Sequence, residues 1–341
     1  MARMSPARRR LTVVALGLVL GLFAMVQFLY FQRGIVPGDA FNYLAAGERL
    51  NAGHALYALS PGDRWVDIHP PFWTVPLVSP PPIAVIFRPF ALLGDAGAYA
   101  WWILQLVALG TSLGMLIRRI PLAMAGAMLV LLIPTVYEVG VGNLNSFLLL
   151  GLLLVWRFAV SGREEPAGAI AAVMTAVKLT PAMTVWWLLV TGHRRAVLAA
   201  VVTGGVVLLV SVLGAGIGPH LEYLGILSNR AVIGTSPLSL GGMARYVGVP
   251  GAIADALPTV AILAGIVAVV VLRNRPALAW CAVVVTMIYG SPAVSINWYV
   301  LLYALLAPVA WPYRSTATEP TAPSPLKPVA ARTNTTPSLS R

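Results

Sequence analysis

The chain has 341 residues, a mean hydropathy of +0.84 and only 10% charged residues. Soluble domains carry about 25% charged residues, so this composition excludes a water-soluble globular protein. The formal net charge is +12, but the basic residues lie at the ends of apolar segments, which argues against a nucleic-acid-binding domain. The single cysteine, Cys281, excludes a disulfide within the chain and a cysteine-based metal cluster.

The first apolar segment, residues 11–31, has the roughly 20 residues that span a hydrocarbon core. It follows Arg3 and three arginines at 8–10 and has no small-residue cleavage site. This pattern predicts a retained signal anchor with a cytoplasmic N-terminus. A long extracytoplasmic loop is then predicted at 34–97. Within it, residues 39–51 have the pattern of an amphipathic helix that lies in the membrane interface.

Further apolar segments recur along the chain, each near the length of a transmembrane helix. They lie at about 98–117, 120–138, 143–160, 196–213, 257–272, 276–290 and 295–312. Residues 167–191 carry Lys178 and Pro181 in their middle, which predicts two short helices forming a hairpin. The sequence thus predicts an all-α polytopic membrane protein with about ten membrane segments in one domain, 1–312. A second extracytoplasmic loop is predicted at 214–256 and a disordered cytoplasmic tail at 313–341.

The distribution of basic residues tests this trace, because positive residues are retained on the cytoplasmic side of short loops. Sixteen of the 23 basic residues fall on the predicted cytoplasmic side: Arg3, Arg8, Arg9, Arg10, Arg118, Arg119, Arg157, Arg163, Arg194, Arg195, Arg273, Arg275, Arg314, Lys327, Arg332 and Arg341. A competing trace makes 82–94 a full span and 167–191 a single span. It moves the arginines between 118 and 163 outside, so we prefer the first trace. Both traces leave the C-terminus in the cytoplasm.

Asp39 is the main candidate for chemistry. It follows the first span at the predicted outer face, at the start of the amphipathic helix, and Tyr43 lies one turn later on the same side. The alternative is that Asp39 caps this helix, a role that Asp favours. A helix N-terminus stabilises negative charge, so a capping carboxylate also stays ionised and the two roles are compatible.

Lys178 lies in an otherwise apolar stretch, and a charge inside a membrane span costs a few kcal/mol. It is therefore a functional candidate. The alternative is that its ammonium reaches an interface at the tip of the hairpin. Arg230 and Arg245 lie in the second loop and have the charge needed to bind a phosphate, although surface arginines without that role are common.

Polar residues at the junction of two spans predict helix caps and interhelical hydrogen bonds. They are Glu138, Asn143, Asn145 and Ser146. Several tryptophans are expected to anchor the chain at the membrane interfaces: Trp65, Trp73, Trp101, Trp102, Trp186 and Trp187. The alternative for some of those in the first loop is stacking on sugar rings. The histidines show no metal-ligand spacing and there is no paired acidic motif, so no metal site is predicted.

Five segments follow one another along the chain: GDAFNYLAAGERLNAGHALY, SPPPIAVIFRPFALLG, GNLNSFLLLGLLL, AVKLTPAM and YGSPAVSINWYVLL. In this order they resemble the signature motifs of glycosyltransferase family 87. The first segment carries Asp39, Tyr43 and Tyr57 at motif positions, and the fourth carries Lys178 in a Lys-Leu-Thr-Pro element. The sequence departs from the family pattern where a Trp-Asp-His-His run is replaced by Ser295, Ile296, Asn297 and Trp298. It also lacks the Tyr before the Pro-Pro pair and has a reduced second-loop element, with Arg245 after it.

The resemblance implies a GT-C fold and the use of a polyprenyl-phosphate sugar, typically mannose, at the extracytoplasmic face. For Asp39 it implies the role of general base. Candidate substrate-positioning residues are Tyr43, Tyr57, Asn143, Asn145 and Asn297. No cofactor is predicted, since the lipid-linked sugar is itself the substrate.

The function expected from the sequence is inverting sugar transfer from that donor to a lipid-linked or glycan acceptor, within the cell membrane. Lys178, Arg245 and Arg230 are the candidates for binding the donor phosphate. The expected partners are the lipid bilayer, the donor and the acceptor, but no nucleic acid. A lipid-linked sugar flippase and a non-catalytic membrane scaffold are the alternatives. A transporter typically has internal repeats and polar residues at mid-membrane, and no convincing repeat is seen.

Overall fold

The computed structural model describes residues 38–59, 77–228 and 236–313, and all regular structure in these ranges is helical. The all-α prediction is therefore confirmed for the part of the chain that is described. The predicted first span at 11–31 and the predicted tail after Tyr313 lie outside these residues. One domain over 1–312 stays a prediction.

Within the described ranges, helices α1 to α7 precede Lys178 and helices α8 to α14 follow it. The first group is α1 (Gly38–Asn51), α2 (Pro81–Ala91), α3 (Asp95–Ile117), α4 (Leu122–Ala127), α5 (Leu132–Val141), α6 (Asn145–Val160) and α7 (Glu164–Val177). The second group is α8 (Ala182–Val190), α9 (Arg194–Ala215), α10 (Gly218–Ser228), α11 (Leu240–Tyr246), α12 (Gly251–Val271), α13 (Pro276–Tyr289) and α14 (Ala307–Ala310). There are also 3₁₀ helices at Met128–Leu131 and Ile296–Leu306.

Among the described residues, four helical stretches are long and apolar enough to cross a membrane. They are Asp95–Ile117, Ala123–Val141, Arg194–Ala215 and Gly251–Val271. Shorter apolar helices lie at Asn145–Val160, Pro276–Tyr289 and Ile296–Ala310. A hydrocarbon core about 30 Å thick needs about 20 helical residues, so the longer stretches suit a chain that crosses it repeatedly. These helices support a multi-pass membrane protein, and the count of about ten segments stays a prediction.

The segment at 167–191 is broken in its middle, as the sequence predicts. Lys178 is in an extended conformation. Pro181 explains the break, because proline lacks the N–H that would donate to the carbonyl of Val177 and its ring clashes with that carbonyl. The backbone N–H of Arg195 donates to Glu164 Oε2 at 3.0 Å, so α7 and α9 begin side by side. The chain therefore enters and leaves α7 and α8 at one end of the bundle. The predicted hairpin, with Lys178 at its tip, is confirmed.

Helices α1 and α2 pack against each other and cap the end of the bundle where α9 finishes. Gly47 allows this contact, because a Cβ there would lie 2.6 Å from the carbonyl oxygen of Phe87. Arg88 of α2 donates through Nε to Asn51 Oδ1 at 2.8 Å and through Nη1 to Gly214 O at 2.9 Å. We call this the upper end of the bundle, and the end that holds Glu164 and Arg195 the lower end.

Two predictions about the first loop are decided by these helices. An 11-residue helix is about 16 Å long, so α2 is too short to span a bilayer, and the trace without a full span at 82–94 is supported. The predicted helix at 39–51 is confirmed as α1. The prediction that only one side of this helix is buried is wrong, since Ala40, Phe41 and residues 43–47 are all buried.

The 3₁₀ helix at Ile296–Leu306 has a burial pattern that repeats every third residue. Asn297, Val300 and Tyr303 are buried on one line, as expected for three residues per turn. Tyr303 Oη donates to Met128 O at 3.0 Å, which holds this helix against the segment that leads into α5. Asn297 thereby faces α5 as well.

Candidate active site

Asp39 lies in the first turn of α1, above the turn that joins α5 to α6. That turn follows Gly142, whose positive φ of 71° ends α5. Asn143 Nδ2 donates to Asp39 Oδ2 at 2.7 Å, although the two residues are 104 positions apart. Since α1 begins at Gly38, Asp39 lies just inside the helix, where the helix N-terminus still stabilises its charge.

The turn between α5 and α6 is held against the middle of α3. Trp101 Nε1 donates to Gly142 O at 2.8 Å, and Gln105 Nε2 donates to Asn143 O at 3.0 Å. Trp101 and Gln105 lie six and ten residues after the first residue of α3, or about 9 and 15 Å along its axis. Asn143 is therefore recessed below the upper end of α3, with α1 above it.

Glu138 is the centre of a buried hydrogen-bond network directly below this turn. Its Oε1 accepts from the backbone N–H of Ser146 at 2.9 Å and from Gln105 Nε2 at 3.2 Å. Its Oε2 accepts from Asn145 Nδ2 and from Asn297 Nδ2, each at 3.1 Å. One carboxylate thus joins α3, α5, α6 and the 3₁₀ helix at Ile296–Leu306. The interhelical hydrogen bonds predicted for these polar residues are confirmed.

Lys178 reaches the same network from the tip of the hairpin. Its Nζ donates to Asn145 Oδ1 at 2.9 Å and lies 3.4 Å from the centroid of the Trp298 ring. The face of a tryptophan ring attracts a cation, so both contacts stabilise the ammonium. The bundle therefore holds Lys178 in place, and the alternative in which the side chain extends to an interface does not describe it.

Three buried amide oxygens of this network have no hydrogen-bond partner among the described residues: Oε1 of Gln105, Oδ1 of Asn143 and Oδ1 of Asn297. The Nδ2 groups of Asn143 and Asn297 are engaged with Asp39 and Glu138. A buried polar atom left unpaired costs about 1–3 kcal/mol. A ligand hydroxyl that donated to one of these oxygens would remove this cost.

Tyr43 packs beside Asp39 on the buried side of α1. Its ring lies 5.2 Å from that of Phe87 and 6.4 Å from that of Trp101. Burial, together with the nearby carboxylates of Asp39 and Glu138, raises the pKa of the Tyr43 hydroxyl well above its usual value. The phenol therefore stays protonated at neutral pH.

The structure brings together five of the sequence-predicted site residues in addition to Tyr43. They are Asp39, Asn143, Asn145, Lys178 and Asn297. It also adds Glu138, Gln105 and Trp298, which sequence reasoning did not assign to the site. The sequence does mark Glu138 as unusual, because it is the only charged residue between Arg119 and Arg157.

The other predicted residues have different surroundings. Tyr57 Oη donates to Ser79 O at 2.8 Å, and its ring stacks on Tyr223 with centroids 6.2 Å apart. Arg245 Nη2 contacts Asp255 Oδ1 at 2.5 Å, so a carboxylate already binds part of its guanidinium. Arg230 lies outside the described residues. Substrate roles for these three residues stay predictions.

The comparison with known families agrees with this architecture. The sequence model of glycosyltransferase family 87 matches residues 78–307, about two thirds of the chain. The chain belongs to glycosyltransferase family 87. A family 87 protein is a membrane glycosyltransferase, which fits a helical bundle with several membrane-crossing helices and a polar network near one end.

The family match covers Asn143, Asn145, Lys178 and Asn297 but begins after Asp39. In this family 87 protein, Asp39 is linked to the matched region by its hydrogen bond to Asn143. No curated protein and no solved structure matches the chain. Among the described residues, no group of three His, Cys, Asp or Glu side chains could hold a metal ion, and metal independence stays a prediction.

Proposed function

We propose that the protein transfers a sugar, mannose, from a polyprenyl-phosphate donor to a hydroxyl of a lipid-linked or glycan acceptor, with inversion at the anomeric carbon. Membership of family 87 supports glycosyl transfer, and the choice of mannose and of the donor follows the family resemblance. The observation that carries the proposal is the Asn143–Asp39 hydrogen bond, which places a carboxylate beside the network that holds Lys178. The site then contains both a base and a cation.

The reaction needs one base and one group to stabilise the leaving phosphate. The acceptor oxygen attacks the anomeric carbon, the bond from that carbon to the phosphate oxygen breaks, and Asp39 takes the acceptor proton. The polyprenyl phosphate leaves with the bonding electron pair. Unlike a sugar alcohol, a phosphate leaves without being protonated, so the second carboxylic acid used in glycoside hydrolysis is not required.

Lys178 is the cation proposed to bind that phosphate. An ammonium has three N–H donors, and Asn145 Oδ1 accepts one of them among the described contacts. A fixed cation that faces the developing charge is often the largest contribution to rate, because it needs no reorganisation during the reaction. The unpartnered Oδ1 atoms of Asn143 and Asn297 are proposed to accept from hydroxyl groups of the substrates.

The proposed active face is extracytoplasmic. The excess of basic residues on the other side of the predicted trace supports this orientation. The donor's lipid tail would remain in the bilayer beside the membrane-crossing helices. Its phosphate and sugar would then meet the network beneath α1.

The test is the Asp39→Asn variant, purified in lipid nanodiscs and supplied with polyprenyl-phosphate-mannose and lipid acceptors. We expect the rate of transfer to fall at least about 100-fold, since a positioned base contributes about 10²–10⁴-fold. Asp95→Asn is the matched control, because Asp95 also lies in the first turn of a helix but is exposed. Normal turnover by Asp39→Asn would contradict the assignment of the base.

The same preparation separates the other classes of function. Movement of the donor across liposomes without product would indicate a flippase. Neither product nor movement, with any of several polyprenyl-phosphate sugars, would indicate a non-catalytic scaffold. A product that carries a sugar other than mannose would correct the substrate and leave the mechanism intact.

A further inference from the structure

Glu138 has no role in the proposed chemistry, yet it is fully buried and accepts hydrogen bonds from four different residues. Burying a carboxylate costs several kcal/mol, and well-packed apolar side chains commonly hold helices together as well or better. Stability therefore does not explain a carboxylate at this position. The groups that Glu138 contacts are the better guide to what it does.

Asn145 connects Glu138 to Lys178. Its Nδ2 donates to Glu138 and its Oδ1 accepts from the Lys178 ammonium. A side-chain amide has one donor end and one acceptor end, so the first bond decides which end is left for the second. If the amide turned over, its oxygen would face the carboxylate and its NH₂ would face the ammonium, and both contacts would become repulsive.

Asn297 is oriented by the same carboxylate. Because its Nδ2 donates to Glu138, its Oδ1 is left as the atom without a described partner. The next residue, Trp298, provides the ring on which the Lys178 ammonium lies. Glu138 thus contacts Asn145, which accepts from Lys178, and Asn297, the residue directly before the ring on which Lys178 lies.

We propose that Glu138 is a positioning residue for donor binding, which acts by orienting Asn145 and Asn297 and, through them, Lys178. It contacts neither the sugar nor the reacting atoms. This inference rests on the proposed function of Lys178 as the group that binds the donor phosphate. It assigns Glu138 to the donor side of the site, whereas Asn143 and Asp39 form the acceptor side.

The first experiment measures phosphate binding, independently of transfer. Farnesyl phosphate, a short polyprenyl phosphate, is the probe, and its binding to protein in nanodiscs is measured by equilibrium dialysis. We expect Glu138→Gln to weaken binding about 10- to 100-fold, the range found when a group that orients a metal ligand is removed. The glutamine NH₂ would face donors in either orientation: Asn145 and Asn297 at the position of Oε2, or Gln105 and the Ser146 N–H at the position of Oε1.

The matched control is Thr135→Val, on the same helix one turn earlier. Thr135 is buried, and its Oγ1 contacts Leu131 O and Tyr303 Oη, so this change also removes buried hydrogen bonds. We expect a similar fall in melting temperature for Glu138→Gln and Thr135→Val, with farnesyl phosphate binding reduced only in the first. Equal loss of binding in both would mean that Glu138 acts only through stability, and would overturn the proposal.

A double-mutant cycle with Lys178→Met decides whether Glu138 acts through Lys178. If it does, adding Glu138→Gln to Lys178→Met changes binding by less than about 3-fold, since coupled residues are not additive. Losses that multiply would overturn the proposal. If Glu138→Gln does not fold, Asn145→Ala removes the link between Glu138 and Lys178 while Glu138 keeps its other partners. Unchanged farnesyl phosphate binding in Asn145→Ala would equally overturn the proposal.

The transfer assay is run on the same variants. Absence of transfer by the wild-type protein would refute the proposed function but leave the binding cycle interpretable. Transfer by the wild-type protein without coupling between Glu138 and Lys178 would refute only the positioning role. The two failures are therefore distinguishable.

Discussion

The carboxylate of Asp39 accepts a hydrogen bond from the Asn143 amide and lies near Lys178. The Lys178 ammonium is itself held by Asn145 and Trp298. Asn143 can donate to an ionised Asp39 through Nδ2, and the same amide has its Oδ1 buried without a described partner. Asn143 is thus placed to contact both Asp39, the proposed base, and a substrate hydroxyl.

We expect Asn143→Ala to reduce kcat/KM for transfer about 10- to 100-fold. A hydrogen bond to a charged group is worth about 1.5–3 kcal/mol, and each 1.4 kcal/mol is a factor of ten. Steady-state kinetics with varied acceptor measure this effect. Asn274→Ala is the control, because Asn274 is exposed in the turn between α12 and α13. A variant with unchanged kcat/KM would show that Asp39 does not depend on Asn143.

At the scale of helices, the hairpin of α7 and α8 is positioned by close packing at its base. A Cβ on Gly168 would lie 1.8 Å from the carbonyl oxygen of Ala196, so α7 and α9 approach each other with no room for a side chain. The tip of this hairpin holds Lys178, about ten residues farther along. A shift at the base would therefore be carried to the site.

We expect Gly168→Ala to lower the melting temperature in detergent, because forcing an atom into a packed contact costs about 1–3 kcal/mol. Gly204→Ala in α9 is the control, since nothing lies within 4 Å of a Cβ there. Alanine is favoured over glycine in a helix by about 1 kcal/mol, so the control is expected to be neutral or stabilising. Thermal unfolding followed by tryptophan fluorescence compares the two. Equal melting temperatures would mean that the contact of α7 with α9 can relax.

Much of this helical arrangement could be predicted from the sequence. The break in the hairpin could be predicted because Pro181 and Lys178 interrupt an apolar stretch locally. The expected interface positions of Trp101, Trp102 and Trp187 are wrong, since all three are buried within the bundle. Trp65 and Trp73 lie outside the described residues. A tryptophan in an apolar helix has the same local sequence whether it faces lipid headgroups or a neighbouring helix, so only the tertiary packing decides.

The site could be predicted only in part, for a similar physical reason. The candidates Asp39 and Lys178 stand out locally as charges next to apolar segments. Their relation to each other depends on Asn143 and Asn145, which contact them across 104 and 33 positions of sequence. For Glu138 the sequence predicts a helix cap or interhelical hydrogen bonds, but nothing in its sequence neighbourhood shows that four partners converge on it.

At the scale of the whole molecule, the described bundle is apolar outside and polar near one end. Helix α9 exposes Leu198, Val201, Leu209 and Leu213, each by more than half of its surface, as expected for a helix that faces lipid. The Asp39, Glu138 and Lys178 network lies toward the upper end, whereas arginines such as Arg195 are at the lower end. If positive residues are retained in the cytoplasm, the upper end faces outward.

Accessibility of single cysteines tests this orientation. In a Cys281→Ser background, Ser228→Cys introduces a thiol at the exposed end of α10, and Ser161→Cys introduces one in the exposed turn between α6 and α7. Ser228 belongs to the predicted outer loop, and Ser161 lies beside Arg163 in the predicted cytoplasmic turn. We expect a membrane-impermeant maleimide to label the first in intact cells and the second only after permeabilisation. The reverse pattern would place Asp39 at the cytoplasmic face, where the donor would have to be presented from the opposite leaflet.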